Sequence, residues 1–273
     1  MTADLHTHTN ASDANLSRRQ LLDFARQCGV KQLSITDHDT MKNSYSAPED
    51  GLAVIEGCEL SAYDSIIDNH VHILCYMPKD KQPLEVYFEK MRRERARAGL
   101  IMLEKVNRLY PVVTEQSVGK YKAESGVIFK QAIMSVLVEY GYASQLIGPL
   151  FQQLFNRLDG TCHVPISYGE PGEVIALARE ARGVVVHAHP SVYKNMPVAA
   201  RFAAQRAVDG FEVEHPRNSH NDKPTLLSYC TDNNLLITGG SDYHGATAAG
   251  TMPGMFYTDE ANLEKLFEKA ASL

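Results

Sequence analysis

Two histidines one residue apart, His6 and His8, stand near the start of the chain in Asp4-Leu5-His6-Thr7-His8-Thr9, and a carboxylate, Asp13, follows in Asn10-Ala11-Ser12-Asp13. Side chains along a strand repeat every second residue, so both imidazoles project from one face. Two imidazoles a few ångströms apart suit a divalent transition metal, and a carboxylate in the next turn is placed to hold a neighbouring ion. Taken alone, the pair is equally an exposed polar strand. The theme recurs, however, in Asp37-His38-Asp39, Glu56-Gly57-Cys58-Glu59, Asn69-His70-Val71-His72, His187-Ala188-His189-Pro190 and Ser241-Asp242-Tyr243-His244.

The elements that must position these groups alternate. Ser17-Arg18-Arg19-Gln20 reads as a capping box, and Leu21, Phe24, Ala25 and Cys28 follow at helical spacing before Gly29. Strands are predicted over 31–36, at 53–55, from Asn69 to Leu74, over 183–186, over 210–216 and over 235–238, with helices from Pro171 to Arg182, Val198 to Ala207 and Glu260 to Ala271. A β-α-β start implies parallel strands whose C-terminal ends carry the active groups. His6 and His8, His38, Glu59, His189, and Asp242 with His244 all fall at or just past predicted strand ends, so a parallel barrel would bring them to one rim. Satisfied core histidines do not explain five such coincidences.

Between 79 and 161 the pattern changes. Leu84 to Leu109 is one long charged helix containing Arg92, Arg93, Arg95 and Arg97, and Val127 to Tyr140 and Ser144 to Leu158 read as further helices. The alternation of strand and helix resumes afterwards, so 79–161 is expected to be a helical insertion, or cap, in a barrel formed by 1–78 and 162–273. The arginine run is ordinarily a solvated helix face, with a phosphate-facing lid as the alternative.

Composition sets outer limits. The chain has 273 residues, 44% of them hydrophobic, enough for one α/β barrel core. Its five cysteines lie scattered with no C-x-x-C pair, which argues against a disulfide framework or zinc ribbon and favours a reducing cytosol. No charged leader with an apolar core precedes the first strand and no run reaches membrane-spanning length, so a soluble cytoplasmic protein without a membrane partner is expected. A formal net charge of −6 disfavours general attraction of nucleic acid. Two or three bound dications would reverse that locally and draw phosphate into a cleft.

In the order D-L-H-T-H-T with S-D, T-D-H-D-T, G-C-E, H-x-H-I-L, A-H-P and G-G-S-D-Y-H-G, the chain resembles the PHP (polymerase and histidinol phosphatase) family over essentially its whole length. The inserted helices are similar to those of its stand-alone phosphoesterases, a branch that includes phosphatases of nucleoside 3′,5′-bisphosphates and 5′-to-3′ RNA-trimming enzymes. The resemblance implies an α/β fold, a distorted seven-stranded barrel with a helical insertion, and two or three divalent ions of manganese, zinc or iron. It implies further that His6, His8, Glu59 and Asp242 hold one metal, that Glu59 bridges to a second shared with His72 and His189, and that Asp13, His38 and His244 hold a third. His72 is preferred to His70 because it directly precedes Ile73-Leu74, and His189 to His187 for its Ala-His-Pro context; the two-residue period puts each alternative on the same strand face. Relatives of this branch commonly carry Arg-Pro-His where this chain has Lys130-Gln131-Ala132, so Lys130 would supply a point charge in place of a fork.

Hydrolysis of a phosphate ester is the expected reaction, by in-line attack of a hydroxide bridging two metals. His215 is a candidate acid or substrate contact, and Arg217 a candidate for a second phosphate. The expected substrate is a small nucleotide bearing a 3′-phosphate, or a short RNA or DNA oligonucleotide. A histidinol-phosphatase-like enzyme and a metal-stabilised module without turnover are the alternatives. An amidohydrolase-like C–N hydrolase would place a lysine at a mid-barrel strand end, where this chain offers none.

Overall fold

The computed structural model describes residues 3–47, 51–245 and 250–273. Its centre is a seven-stranded sheet in sequence order, formed by β1 (Ala3–Thr7), β2 (Gln32–Ile35), β3 (Ala53–Asp64), β4 (Asn69–Tyr76), β5 (Val184–His187), β6 (Gly210–Glu214) and β7 (Leu236–Gly239). The sheet curls into a nearly closed α/β barrel. After β7 the chain returns to β1, where Asp242 N donates to His6 O at 2.8 Å and His8 N to Tyr243 O at 3.0 Å. Gly240 permits this seam, since a Cβ there would lie 2.4 Å from His6 Cβ and 2.5 Å from His6 N.

The barrel is not wholly parallel, which corrects the sequence expectation. β1, β2 and β3 are parallel, as are β5, β6 and β7, but β4 is antiparallel to both its neighbours. β3 runs on for twelve residues, well past its predicted end. It then folds back through a tight turn in which Asp64 Oδ1 accepts from the backbone of Ile66 and Ile67 at 3.0 and 3.1 Å. Glu59 is therefore mid-strand, and His72 reaches the barrel mouth from the first half of β4.

Helices cover the outside. α1 (Arg18–Gln27) starts at the predicted box, with Ser17 accepting from Gln20 N, and buries Leu21, Leu22 and Ala25. α2 (Gln82–Leu109), α3 (Glu115–Val118), a 3₁₀ turn (Gly119–Tyr121), α4 (Lys130–Glu139) and α5 (Pro149–Phe155) follow, then α6 (Pro171–Glu180), α7 (Met196–Gln205), α8 (Lys223–Asn233) and α9 (Glu260–Ser272). α4 begins three residues later than the periodicity implied, because Phe129 is still extended. α5 is shorter at both ends, starting at Pro149, a residue suited to the first helical turn.

Three apolar layers matter for the site. Leu5, Ile55, Leu74, Tyr76, Val184 and Val186 fill the barrel floor under α9. Residues of β3 to β6, among them Leu60, Ile73, Val185 and Phe211, pack outward on α2, α6, α7 and α8. Residues from Ala98 to Val164 form a cluster of their own, with Met102, Val106, Ile133, Leu137 and Phe155 at its centre. Among the described residues no helix is long and apolar enough to cross a membrane.

Candidate metal centre

The floor layer fixes the centre's height. His6, near the end of β1, and His8, just past it, stand at the mouth, both fully buried. His6 Nδ1 lies 2.9 Å from Glu212 Oε1 on β6, while the other Glu212 oxygen accepts from the backbone of His189 at 2.9 Å. A carboxylate on one ring nitrogen leaves the other, Nε2, turned toward the cavity as a lone-pair donor.

Glu59 is the hub. Its Oε1 is 2.7 Å from His72 Nδ1 and 2.9 Å from His189 Nε2. Its Oε2 is 3.2 Å from His6 Nε2, 3.3 Å from His8 Nε2 and 3.1 Å from His38 Nδ1. One oxygen faces each way, the disposition of a carboxylate that serves two cations. Asp242 Oδ1 adds a contact of 3.2 Å to His8 Nε2 and one of 3.5 Å to His6 Nε2. A third grouping lies beside it, with Asp13 Oδ1 3.2 Å from His244 Nε2 and Asp13 Oδ2 3.8 Å from His38 Nε2.

All nine residues expected as ligands from the sequence meet in this one neighbourhood. Donor atoms from His6, His8, Glu59 and Asp242 lie within 4.8 Å of one another, as do those of His8, Asp13, His38 and His244, of His38, Glu59 and His72, and of His6, His189 and Glu212. His70 shares the inward face of β4, but its ring stands higher, edge-on to Tyr63 and Tyr168. For His187 the two-residue argument fails. β5 ends there, His189 takes a left-handed φ of 28°, and the His187 ring packs outward against Phe202 and Phe211. Asp242 has the same kind of backbone, φ 50°, at a cost of about 1–2 kcal/mol for a residue with a Cβ.

The donor set tests whether cations fit. His6 Nε2, both ring nitrogens of His8, His38 Nδ1 and Glu59 Oε2 are buried with no hydrogen-bond partner among the described residues, although each points at the shared space. Buried polar atoms left in this way cost about 1–3 kcal/mol apiece, and a bound cation satisfies several together. Burial opposes ionisation at Glu59 and Asp242, yet the imidazoles around them hold both carboxyls well below the usual range. Burial likewise works against a charged His8, but Asp242 and Glu59 raise it to about 10. The clusters thus provide for several metal ions, and their mixed nitrogen and oxygen donors fit divalent transition metals.

Of the other predicted residues, His215 uses both ring nitrogens, Nε2 at 3.2 Å from Asp242 Oδ2 and Nδ1 accepting from Arg217 N at 3.1 Å. Arg217 donates to the same Asp242 oxygen at 2.6 Å. Lys130 lines a cavity of about 730 Å³ that opens from Asp13, His38 and His72 and runs beneath α4, past Arg95, Arg157, Tyr63, Tyr168 and Tyr193. Arg217 does not line it. The sequence reading missed Glu212 and did not single out from its arginine run Arg95, whose guanidinium is held by Asp39 Oδ2 at 2.6 Å and Ser61 Oγ at 2.7 Å. Replacing Glu212 by Gln should weaken binding of the metal nearest His6 by about 10–100-fold, read by manganese titration calorimetry.

A curled seven-stranded sheet with buried imidazoles and carboxylates convergent at its mouth defines a metal-dependent hydrolase. Residues 4–147 match the PHP domain, and the chain belongs to that family. Over 253 residues it is 30% identical to phosphoribosyl 1,2-cyclic phosphate 1,2-diphosphodiesterase of Eggerthella lenta, covering 90% of this chain and 95% of the relative. It is 30% identical over 255 residues to the 5′-3′ exoribonuclease Rnm of Escherichia coli, covering 88% and 84%. A Bifidobacterium adolescentis structure assigned as a metal-dependent phosphoesterase superposes with TM-score 0.84 at 28% identity, covering 97% of this chain and 95% of that one. The protein is a metal-dependent phosphoesterase.

Proposed function

We propose that this phosphoesterase acts on a nucleotide, removing a 3′-phosphate or trimming a short oligonucleotide. The observation that carries the reading is the cavity, which leads from the metal centre between three cationic side chains, Arg95, Lys130 and Arg157, and a set of aromatic rings, Tyr63, Phe129, Tyr168 and Tyr193. Guanidinium and ammonium groups recognise phosphate, and aromatic faces accept a base. In this reading His6, His8, Glu59 and Asp242 hold one metal, Glu59 with His72 and His189 a second, and Asp13, His38 and His244 a third. Bound there, divalent ions supply an electrophile for phosphoryl oxygens and acidify water toward neutrality. His215 and Arg217 keep Asp242 turned toward His6 and His8. Arg95, its Nε and Nη2 held by Asp39 and Ser61, brings a fixed positive charge to the cavity, and the helices of 79–161 act as the cap.

Lys130 is the phosphate contact that replaces the arginine common among relatives. Its only hydrogen bond within the described residues is a long one, 3.4 Å, to Phe155 O. Burial first, and then Arg95, lower its ammonium to about 8. It is charged below that pH and neutral above it, so kcat/KM for an anionic substrate should fall as pH rises through about 8. Lys130→Ala should abolish this limb and raise KM by about 10-fold or more, from the loss of one charge-assisted hydrogen bond. A pH profile of the variant that keeps the limb would remove Lys130 from substrate binding.

The test of substrate class is hydrolysis with manganese, read by separating the products, of a nucleoside 3′,5′-bisphosphate, a short 5′-phosphorylated RNA, a phosphoribosyl 1,2-cyclic phosphate and histidinol phosphate, with phosphate expected from the first and mononucleotide from the second. Turnover of the first two ahead of the others supports the nucleotide reading. A ribosyl cyclic phosphate is the second reading, favoured by the Eggerthella lenta relative. Release from histidinol phosphate alone would overturn both.

A further inference from the structure

The grouping of Asp13, His38 and His244 differs from the rest of the centre in how it is held. His6 and Glu59 sit on strands with side chains at most 1% exposed, whereas His38 and His244 are 12% and 15% exposed and Asp13 lies in a loop. That loop is a turn closed by Ser12 N and Ala14 N on Thr9 O, and its own hold on the Asp13 carboxylate is a long contact of 3.5 Å from Ser12 Oγ. The cap fixes it. Gln131 Nε2, from the first turn of α4, donates to Asp13 Oδ2 at 2.8 Å. A second tie lies alongside, Glu124 N to Asn10 O at 2.8 Å. Gln131 is itself held by its helix, whose Ala132, Ile133, Val136 and Leu137 are buried in the cap's own core.

From this geometry we infer that Gln131 is a positioning residue for the third metal, aiming Asp13 from the cap so that this one ion is bound only as well as the cap is seated. It rests on the ligand assignment proposed above. An amide donor on the outer lone pairs of a ligating carboxylate orients it without competing for the ion, and loss of such a partner typically costs about 10–100-fold in metal affinity.

The experiment titrates metal-free protein with manganese, counting bound ions by electron paramagnetic resonance and calorimetry, for the wild type, Gln131→Met and Asp13→Asn. Methionine keeps the length of the side chain and removes the donor. The expected result is that Gln131→Met keeps the tight equivalents unchanged and binds the last one about 10–100-fold more weakly, with kcat recovering at excess manganese and KM unaltered, while Asp13→Asn loses that equivalent. If Gln131→Met binds every equivalent as the wild type does while Asp13→Asn loses one, the role of Gln131 is overturned and the ligand assignment stands. If Asp13→Asn loses none, the ligand assignment fails and this inference with it. Weakening of all equivalents together by Gln131→Met also overturns it, since that marks general damage to the centre.

Discussion

Glu59→Gln should reduce turnover by about 10³-fold or more while the protein stays folded. The side chain keeps its shape but loses the charge that five imidazoles share, those of His6, His8 and His38 on one oxygen and of His72 and His189 on the other. A bridging carboxylate is an anionic ligand to two ions, and its neutral amide offers a single weak oxygen. Several kcal/mol of transition-state stabilisation depend on those ions, which sets the size of the effect. Metal content should fall with activity, because the amide removes an anionic ligand from both positions, while the surrounding residues, on separate strands, keep the chain folded. A variant with full metal content and low activity would instead make Glu59 a proton-transfer group.

Chelation should have an effect as large, and one that reverses. Dialysis against a strong chelator removes turnover, and manganese, zinc or iron added back restores it. Ligands that bind only the folded chain stabilise it by about 2.7 kcal/mol at a hundredfold excess over Kd. At about 2–4 °C per kcal/mol for a chain of this size, Tm should drop by roughly 5–10 °C on stripping. The drop is bounded because the barrel floor, Leu5, Ile55, Leu74 and Val186, packs without reference to the metals. Thermal scans with and without chelator check it. An unchanged Tm together with unchanged turnover would separate the clusters from both stability and catalysis.

The convergence of the candidate ligands was legible because their motifs are regular. His6 and His8 declare a shared strand face by their spacing, and the motifs at 37–39, 187–190 and 241–244 end strands whose hydrophobic runs are plain in the sequence. The direction of β4 was not legible. A strand reads the same either way, and the segment Ser65-Ile66-Ile67-Asp68 between β3 and β4 carries no glycine or proline to announce a hairpin. α8 was hidden because Leu226 and Cys230 are its only buried residues, too few to show a helical period. Glu212 was hidden because nothing in Phe211-Glu212-Val213-Glu214 tells it from Glu214, which the fold leaves exposed. Arg95 was concealed inside a charged run, yet it falls on the buried stripe Phe88, Met91, Ala98 and Met102, while Arg92 and Arg93 pair with Glu89, and Arg97 with Glu94, on the exposed side. An arginine at an apolar position of a helical period was the signal to follow. Gln131 carried no signal of its own, because its meaning comes from where the cap meets the loop at Asp13.

The claim on which the rest depends is that imidazoles and carboxylates from six separate segments hold their metals at one barrel mouth. Anomalous scattering from manganese-soaked crystals tests it directly. The account predicts at least two peaks, one among His6, His8, Glu59 and Asp242 and another on the opposite oxygen of Glu59 beside His72 and His189. Peaks elsewhere on the chain, or none in crystals that still release phosphate, would contradict it.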